Sequence, residues 1–145
     1  MASWRQVTEE APDLAEVVQK VFDARRHKTL ATLRKDGSPR ISGLECEFDD
    51  GEVRFGMMDR SMKAFDIARD PRIAIHATSD DPKEGEDPTV WGGDAKIAGT
   101  ALESGPQGFR VDVTEVVYIR VGTPADHLVI DSWHEGRGRT TAKRL

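Results

Sequence analysis

One short stretch of the sequence, Arg60-Ser61-Met62-Lys63, has residue types that suit the binding of an anion. The apolar run from Val53 to Met58 predicts a strand before it, and helical spacing predicts a short helix after it. Ser61 is a preferred N-cap residue, so we expect the helix to begin there. A helix start carries free N–H groups and a partial positive charge, to which Arg60 and Lys63 add full charges. The stretch therefore predicts a seat for a phosphate or carboxylate, and the alternative is a capped surface helix with solvated charges.

The composition indicates one globular domain over residues 1–145. Hydrophobic residues make up 37% of the chain and charged residues 32%, so part of the core is expected at an interface. No apolar run approaches the roughly 20 residues of a membrane helix, and the start lacks the pattern of a secretory signal. Cys46 is the only cysteine, which excludes an internal disulfide and a cysteine-based zinc site. A cytoplasmic protein is the expectation.

The net charge of -5 is unevenly distributed along the chain. Residues 79–94 are strongly acidic and contain proline and glycine, which predicts a long surface loop. Residues 134–145 are basic and predict a solvated tail. This tail is short and has no interleaved aromatic residues, so we expect no binding to nucleic acid.

The hydrophobic periodicity predicts a sheet protein with few helices. Residues 1–26 contain a helical pattern with one apolar face, and from Lys28 the period changes to two. Asp36-Gly37 and Asp50-Gly51 are strong hairpin signals. The predicted strands cover residues 29–33, 39–48, 53–58, 72–77, 94–102, 109–113, 116–121 and 128–133. Short strands joined by hairpin turns are typical of an antiparallel sheet that closes on itself, so we expect a small β-barrel with peripheral helices.

No other residues in the sequence form a recognisable catalytic or metal-binding pattern. Cys46 lies mid-strand and is interpreted as a small buried residue. Glu45 and Glu47 share one strand face and are interpreted as a solvated surface. Trp91 ends the acidic loop and could cover a flat ring, although tryptophans are more often core or interface residues. The histidines have no metal-ligand spacing, and no metal site is expected: His27, His76, His127 and His134.

The order of the motifs is more informative than any one of them. A strand–hairpin–strand is followed by a strand ending at Met57-Met58, then by Ser61-x-Lys63, a short helix and Asp70-Pro71-Arg72. This order resembles the pyridoxamine 5'-phosphate oxidase-like flavin-binding split-barrel family, which includes the actinobacterial flavin/deazaflavin (coenzyme F420) oxidoreductases. The likeness is clear over residues 28–77 and looser beyond them. The segment from Trp133 to Gly138 is similar to the Trp-x-x-Gly-x-Gly ending of actinobacterial members.

The resemblance implies an antiparallel split β-barrel with Greek-key connectivity and a homodimer with two cofactor sites at its interface. Lys63 and Ser61 match the residues that hold the cofactor phosphate. The family often has a basic residue between them, where this chain has Met62, and Arg60 would then supply the missing positive charge. Arg40 matches a basic residue that reaches the phosphate or the ring. The remaining implied cofactor residues are Ile41, Ser42, Met57 and Met58 beside the ring, and Trp91 and Trp133 from the partner subunit.

The resemblance further implies an oxidoreductase that transfers hydride to or from a small substrate, with no catalytic residue assigned. FMN is the expected cofactor and F420 the alternative, because both have a tricyclic ring and a phosphate-bearing tail. True pyridoxamine 5'-phosphate oxidase activity is not implied, since His134 precedes Arg137 and reverses that enzyme's Arg-x-His arrangement. The alternatives are a non-catalytic protein that binds or senses flavin or haem, and a member that binds nothing because Met62 weakens the seat.

Overall fold

The computed structural model describes residues 2–145, which form eight strands, three α-helices and one 3-10 turn. In chain order these are α1 (Trp4–Glu10), α2 (Pro12–Asp23), β1 (His27–Leu33), β2 (Pro39–Asp49), β3 (Glu52–Gly56), α3 (Met62–Arg69), β4 (Arg72–Thr78), the 3-10 turn (Pro88–Val90), β5 (Asp94–Glu103), β6 (Gly108–Val121), β7 (Leu128–His134) and β8 (Gly138–Arg144). The alternation of apolar and polar residues therefore located the strands up to β7 to within a residue or two, except that β6 was predicted as two strands.

The first six strands form a closed barrel. Their order is β3-β2-β1-β4-β5-β6, and β3 also pairs with β6. All of the strand pairs are antiparallel, and β4 returns to lie beside β1, which is Greek-key connectivity. Closure leaves the barrel without the unpaired edges of an open sheet. The predicted fold class, a mainly β split barrel with peripheral helices, is confirmed.

Two helices, and not one, cover the barrel before β1. Leu14, Val18 and Phe22 of α2 are fully buried beneath the helix, as the apolar stripe predicted. The helical path breaks at Ala11, which has φ -143° and ψ 66°. Pro12 has no N–H to donate and takes the first position of α2, where none is needed. Among residues 2–145, no helix has the length and apolar character to cross a membrane.

The segments predicted as separate strands around Thr114 form one continuous strand, β6. Ala98 of β5 pairs with Glu115, whereas Gly99 pairs with Val113, so Thr114 is an extra residue in the ladder. Such a β-bulge bends a strand without ending it. The prediction that Thr114 and Glu115 separate two strands was therefore wrong. A Cβ at Gly99 would lie 2.0 Å from the carbonyl oxygen of Asp112, which explains the glycine beside the bulge.

The segment predicted as a basic tail is also a strand. β8 pairs with β7 along its whole length, from His134 opposite Gly138 to Leu128 opposite Arg144. Gly136 has φ 84°, a backbone conformation that glycine adopts easily, and it allows the tight turn between the two strands. Almost every side chain of β8 is exposed, so the strand leaves no alternating apolar pattern in the sequence. The prediction that the last strand ends before this segment was wrong for this reason, whereas its side chains are solvated as expected.

Candidate functional site

The turn between β3 and α3 presents unpaired N–H groups at the start of the helix. Ser61 is the N-cap residue, and its Oγ accepts a hydrogen bond from the N–H of Ala64 at 3.2 Å. The predicted helix start is thereby confirmed. The N–H groups of Met62 and Lys63 have no backbone acceptor among residues 2–145. Because the start of a helix also carries partial positive charge, these groups are placed to bind an anion.

Lys63 is held against the barrel next to these N–H groups. Its Nζ donates a hydrogen bond to the carbonyl oxygen of Gly43 in β2 at 2.9 Å. An ammonium has three N–H donors, so two remain for a ligand. Arg60 is exposed on the same turn. We call Arg60, Ser61, Met62 and Lys63 the anion seat.

Arg40 is bound to α3 and does not stand free beside the anion seat. Its Nε donates to Asp66 Oδ2 at 2.7 Å, and Thr32 Oγ1 donates to the same oxygen at 2.7 Å. Arg69 binds the other carboxylate oxygen at 2.9 Å. Arg40 therefore fixes α3 to β2. The contact of Arg40 with a phosphate or ring stays a prediction, and the terminal guanidinium nitrogens are the donors of Arg40 left for it.

The environment of Asp66 keeps its carboxylate ionised. The residue is only 1% exposed, and burial by itself would raise the pKa of the carboxyl group. The hydrogen bonds from Arg40 and Thr32, together with the charges of Arg40 and Arg69, outweigh burial and hold the pKa of Asp66 below its usual value. The cluster is thus a charge-balanced anchor beneath the helix that carries the anion seat.

Small side chains make the outer face of the sheet flat next to Lys63. Gly43 of β2 pairs with Thr29 of β1, and Ala31 of β1 pairs with Ala74 of β4. The burial alternation along these strands directs all four residues outwards. A Cβ added to Gly43 would have no heavy atom within 4 Å. We call Gly43, Thr29, Ala31 and Ala74 the sheet platform, a surface on which a planar group can lie.

Large apolar side chains face solvent on the segments that adjoin the sheet platform. They lie on β2, on the turn after β3 and on α3, and are Ile41 (74% exposed), Met58 (82%), Met62 (58%) and Phe65 (50%). Single exposed apolar residues are ordinary, but several on adjoining segments indicate a surface that binds a ligand or another chain. The predicted ring residues Ile41 and Met58 belong to this set.

Ser42 and Met57 point away from the sheet platform. Ser42 lies on the inward face of β2 that it shares with the buried Leu44, and Met57 packs against the core. The Met57 N–H donates to the carbonyl oxygen of Gln107 at 3.2 Å. Contact of a ring with the backbone at these two positions stays a prediction.

The tryptophans that were predicted to cover the ring lie in different environments. Trp133 is 0% exposed, and its Nε1 donates to Glu10 Oε1 of α1 at 3.2 Å. A side chain sealed in the core cannot contact a surface ligand, so the prediction for Trp133 is corrected. Trp91 follows the 3-10 turn, and its buried Nε1 has no hydrogen-bond partner among residues 2–145. Trp91 therefore remains a candidate for contact with a ligand or a second chain.

Sequence reasoning missed a histidine–carboxylate pair at the edge of the sheet platform. His76 of β4 pairs with Thr29 of β1 across the strands, and its Nε2 lies 3.2 Å from Asp94 Oδ2. The other carboxylate oxygen of Asp94 is buried without a hydrogen-bond partner. Alternation in the sequence placed His76 on the same side as Ala74, but the contact with Asp94 depends on the register between β4 and β5.

A cleft of about 930 Å³ opens at the end of the barrel beside Met57 and Met58. The rings of Phe55 and Phe109 in its wall are stacked with centroids 5.3 Å apart. Cys46 also lines the cleft, and burial raises the pKa of its thiol to about 11. A thiol with such a pKa is protonated at neutral pH, so Cys46 is no nucleophile here. The cleft offers space for a small molecule next to the anion seat.

The fold is similar to that of several solved structures. A pyridoxamine 5'-phosphate oxidase-related FMN-binding protein from Nostoc punctiforme PCC 73102 matches with a TM-score of 0.63 and 12% identity, over 100% of this chain and 98% of the other. PhzG from Burkholderia lata 383, in complex with tetrahydrophenazine-1-carboxylic acid, matches with a TM-score of 0.61 and 13% identity, over 90% and 85% of the chains. The chain has the pyridoxamine 5'-phosphate oxidase-like split-barrel fold. The resemblance inferred from the motif order is confirmed at this level.

A haem-binding protein from Mycobacterium smegmatis shares the split barrel, with a TM-score of 0.60 and 15% identity over 90% of this chain and 87% of the other. The chain spans only 49% to 61% of the length of three further matched structures. No protein-family model and no curated protein matches the sequence. The split barrel is therefore shared with proteins that differ in their ligands, and the ligand of this chain is inferred from its own residues.

Proposed function

We propose that this split barrel binds FMN at the anion seat and sheet platform and acts as an oxidoreductase on a small molecule. One observation carries the proposal: Lys63 is fixed next to Gly43, where the outer face of the sheet is open. A phosphate and a planar ring can thus be held by neighbouring surfaces. A bound flavin supplies the hydride-transfer chemistry, while the protein supplies binding and orientation.

The anion seat has the donors that a phosphate monoester requires. The free N–H groups of Met62 and Lys63 and the two unused donors of the Lys63 ammonium converge on the start of α3. The Ser61 Oγ accepts from Ala64, so its hydroxyl proton is available for a phosphate oxygen. The exposed side chain of Arg60 adds a second full positive charge. These donors compensate for Met62, whose side chain contributes no charge.

The sheet platform and its surroundings fit a flat aromatic ring. Gly43 and Thr29 allow close approach to the sheet, and Ile41 and Met58 are exposed at its margin. Covering these side chains with a ring removes apolar surface from water, which favours binding. It also excludes water from the ring face that lies on the sheet.

A homodimer is part of the proposal. The exposed Met62 and Phe65 of α3 suit burial against a second copy of this chain. Trp91, with its unsatisfied Nε1, is the aromatic residue that a partner would supply to the site. The small-molecule substrate would occupy the cleft beside Met57 and Met58. The cytoplasmic location stays a prediction.

F420 is the alternative cofactor, because its phosphate-bearing tail and tricyclic ring make the same demands on the anion seat and platform. Haem binding without catalysis is the second candidate function, and His76 is the observation that favours it. An imidazole held by a carboxylate through one nitrogen is the usual arrangement of a histidine that ligates a metal through the other. Nδ1 of His76 has no protein partner among residues 2–145.

The test is the absorbance spectrum of the purified protein, followed by titration of the apoprotein with FMN, F420 and haemin. Flavin bands in the spectrum and quenching of FMN fluorescence on titration support the proposal. A Soret band supports haem binding, and strong quenching of F420 with weak quenching of FMN supports the deazaflavin. Turnover of the FMN-loaded protein with a reduced nicotinamide separates an enzyme from a binder. A protein that binds none of the three contradicts the proposal.

Replacing Gly43 with valine tests the position of the ring. We expect FMN to bind about tenfold more weakly, because the added side chain occupies space that the ring requires. The free energy of unfolding should change little, since the Cβ meets no atom and valine favours strands. FMN fluorescence titration and urea unfolding measure the two effects. Ala142→Val on the exposed strand β8 is the matched control. Equal FMN affinity in both variants would show that the ring does not lie on Gly43.

Replacing Ser61 with aspartate separates helix capping from phosphate binding. Aspartate is as good an N-cap as serine, so the thermal unfolding temperature should be preserved. Its negative charge repels a phosphate, and we expect FMN affinity to fall by about tenfold. Ser3 caps α1 in the same way, through the N–H of Gln6. Ser3→Asp should therefore leave both properties unchanged, and an unaltered affinity in Ser61→Asp would exclude the anion seat.

A further inference from the structure

His76 has the position of a residue that touches the far end of a ring lying on the sheet platform. Gly43, Thr29 and His76 lie side by side on adjacent strands β2, β1 and β4. Two spacings between neighbouring strands separate Gly43 from His76 by about 10 Å. Lys63, bound to Gly43, marks the phosphate end of this row. His76 is the first titratable side chain that a planar group meets on crossing the row from that end.

One nitrogen of the His76 imidazole has a hydrogen-bond partner, and the other is available to a ligand. Nε2 lies 3.2 Å from Asp94 Oδ2, and Nδ1 has no protein partner among residues 2–145. The side chain is 43% exposed, so Nδ1 can reach a ligand on the outer face. A carboxylate at one ring nitrogen fixes the orientation of the imidazole and leaves the other nitrogen facing outwards.

Asp94 is incompletely satisfied in the free chain. Its Oδ1 is buried and has no hydrogen-bond partner, and the same is true of Trp91 Nε1 close by in the sequence. A buried carboxylate oxygen without a partner is costly, and a full positive charge on His76 would lower that cost. The other charged groups near His76 are Lys96, directly opposite on β5, and the pair of His27 with Glu45 at 3.3 Å, at the start of β1.

We propose that His76 takes up one proton at Nδ1 when a flavin ring on the sheet platform receives two electrons and one proton. The proposal rests on the proposed function. A reduced nicotinamide supplies the two electrons and the proton of the ring together as a hydride, so that only the proton on His76 comes from solvent. With dithionite, the laboratory reductant, both protons come from solvent. The proton on His76 compensates the negative charge that the ring gains, and Asp94 accepts the hydrogen bond from Nε2. On reoxidation the electrons and both protons leave.

Potentiometry of the FMN-loaded protein between about pH 5 and 8 tests the proposal, because imidazole exchanges its proton in this range. The slope of midpoint potential against pH counts the protons taken up per two electrons. We expect the His76→Gln variant, loaded with saturating FMN, to take up one proton fewer per two electrons than the wild type over part of this range. Asp94→Asn keeps the imidazole of His76 but removes the carboxylate that it binds. This variant should also take up one proton fewer than the wild type, but over a narrower pH interval.

His134→Gln is the matched control. His134 of β7 also binds a carboxylate through Nε2, that of Glu115 on β6 at 2.8 Å. Neither residue belongs to the sheet platform. The slope of midpoint potential against pH in His134→Gln should equal that of the wild type. Equal slopes in His76→Gln and wild type would overturn the role of His76 and leave FMN binding intact. Failure of the wild-type protein to bind FMN would overturn the proposed function together with this inference.

Discussion

Asp66→Asn is expected to destabilise the protein by about 2–3 kcal/mol and to lower its thermal unfolding temperature by roughly 5–10 °C. The neutral amide leaves Arg40 and Arg69 without the carboxylate that both bind, and its NH2 group faces donors. We place the loss below the usual range for a broken buried ion pair because Arg69 is 38% exposed and retains hydration. Urea and thermal unfolding, followed by circular dichroism, measure the change.

The pH dependence of unfolding gives an independent check on Asp66. Because the pKa of its carboxyl group is held below the usual value in the folded protein, its contribution is complete above the pKa of the unfolded chain. The contribution is lost as the pH falls through the lower pKa of the folded state. The wild type should therefore be more stable than Asp66→Asn at neutral pH, and the difference should shrink below about pH 4.

Asp70→Asn is the matched control for this prediction. Asp70 also binds an arginine, Arg72, but at the surface: that arginine's side chain is 73% exposed. Exposed ion pairs contribute little to stability. We expect the unfolding temperature of Asp70→Asn to stay close to that of the wild type. If the two variants were equally stable, the Arg40–Asp66–Arg69 cluster would not be what anchors α3.

Lys63→Ala is expected to weaken FMN binding by about 1.5–3 kcal/mol, which is roughly 10- to 150-fold. The substitution removes an ammonium that a hydrogen bond holds at Gly43, beside the sheet platform. Hydrogen bonds to charged groups lie at the upper end of the range for hydrogen bonds, and a phosphate is a charged acceptor. Fluorescence titration with FMN measures the dissociation constant, and raised salt should narrow the difference between variant and wild type.

Lys20→Ala provides the comparison for Lys63. Lys20 is an exposed lysine on α2. It precedes β1 in the sequence, whereas the anion seat follows β3. Its removal changes the net charge by the same amount, so it reports any effect of charge alone. We expect FMN affinity to be unchanged in this variant. An equal loss in both variants would indicate long-range attraction, and no loss in Lys63→Ala would remove the lysine from the site.

Much of the anion seat was predictable because helix capping is local. Ser61 caps α3 through Ala64, three residues along the chain. The turn glycines of the hairpins likewise act within a few residues of one another. Short-range patterns of this kind depend on neighbours in the sequence, so they can be interpreted without knowledge of the fold.

The errors arose where long-range pairing overrode local pattern. β8 has exposed side chains throughout, and only its pairing with β7 identifies it as a strand. Trp133 was assigned to a cofactor from the family resemblance, but its side chain is fully buried and bound to Glu10 of α1. For Arg40, only the tertiary structure shows that α3 brings Asp66 within hydrogen-bond reach of Nε.

By itself, the sequence determined most of the strands, the capped start of α3 and the presence of Ser61 and Lys63 there. The tertiary structure alone decided that Lys63 rests on Gly43 and that His76 meets Asp94. These contacts join residues on different strands and helices, and their geometry follows from the register in which the strands pair. Backbone hydrogen bonds and core packing set that register over the whole barrel, so no local stretch of sequence contains it.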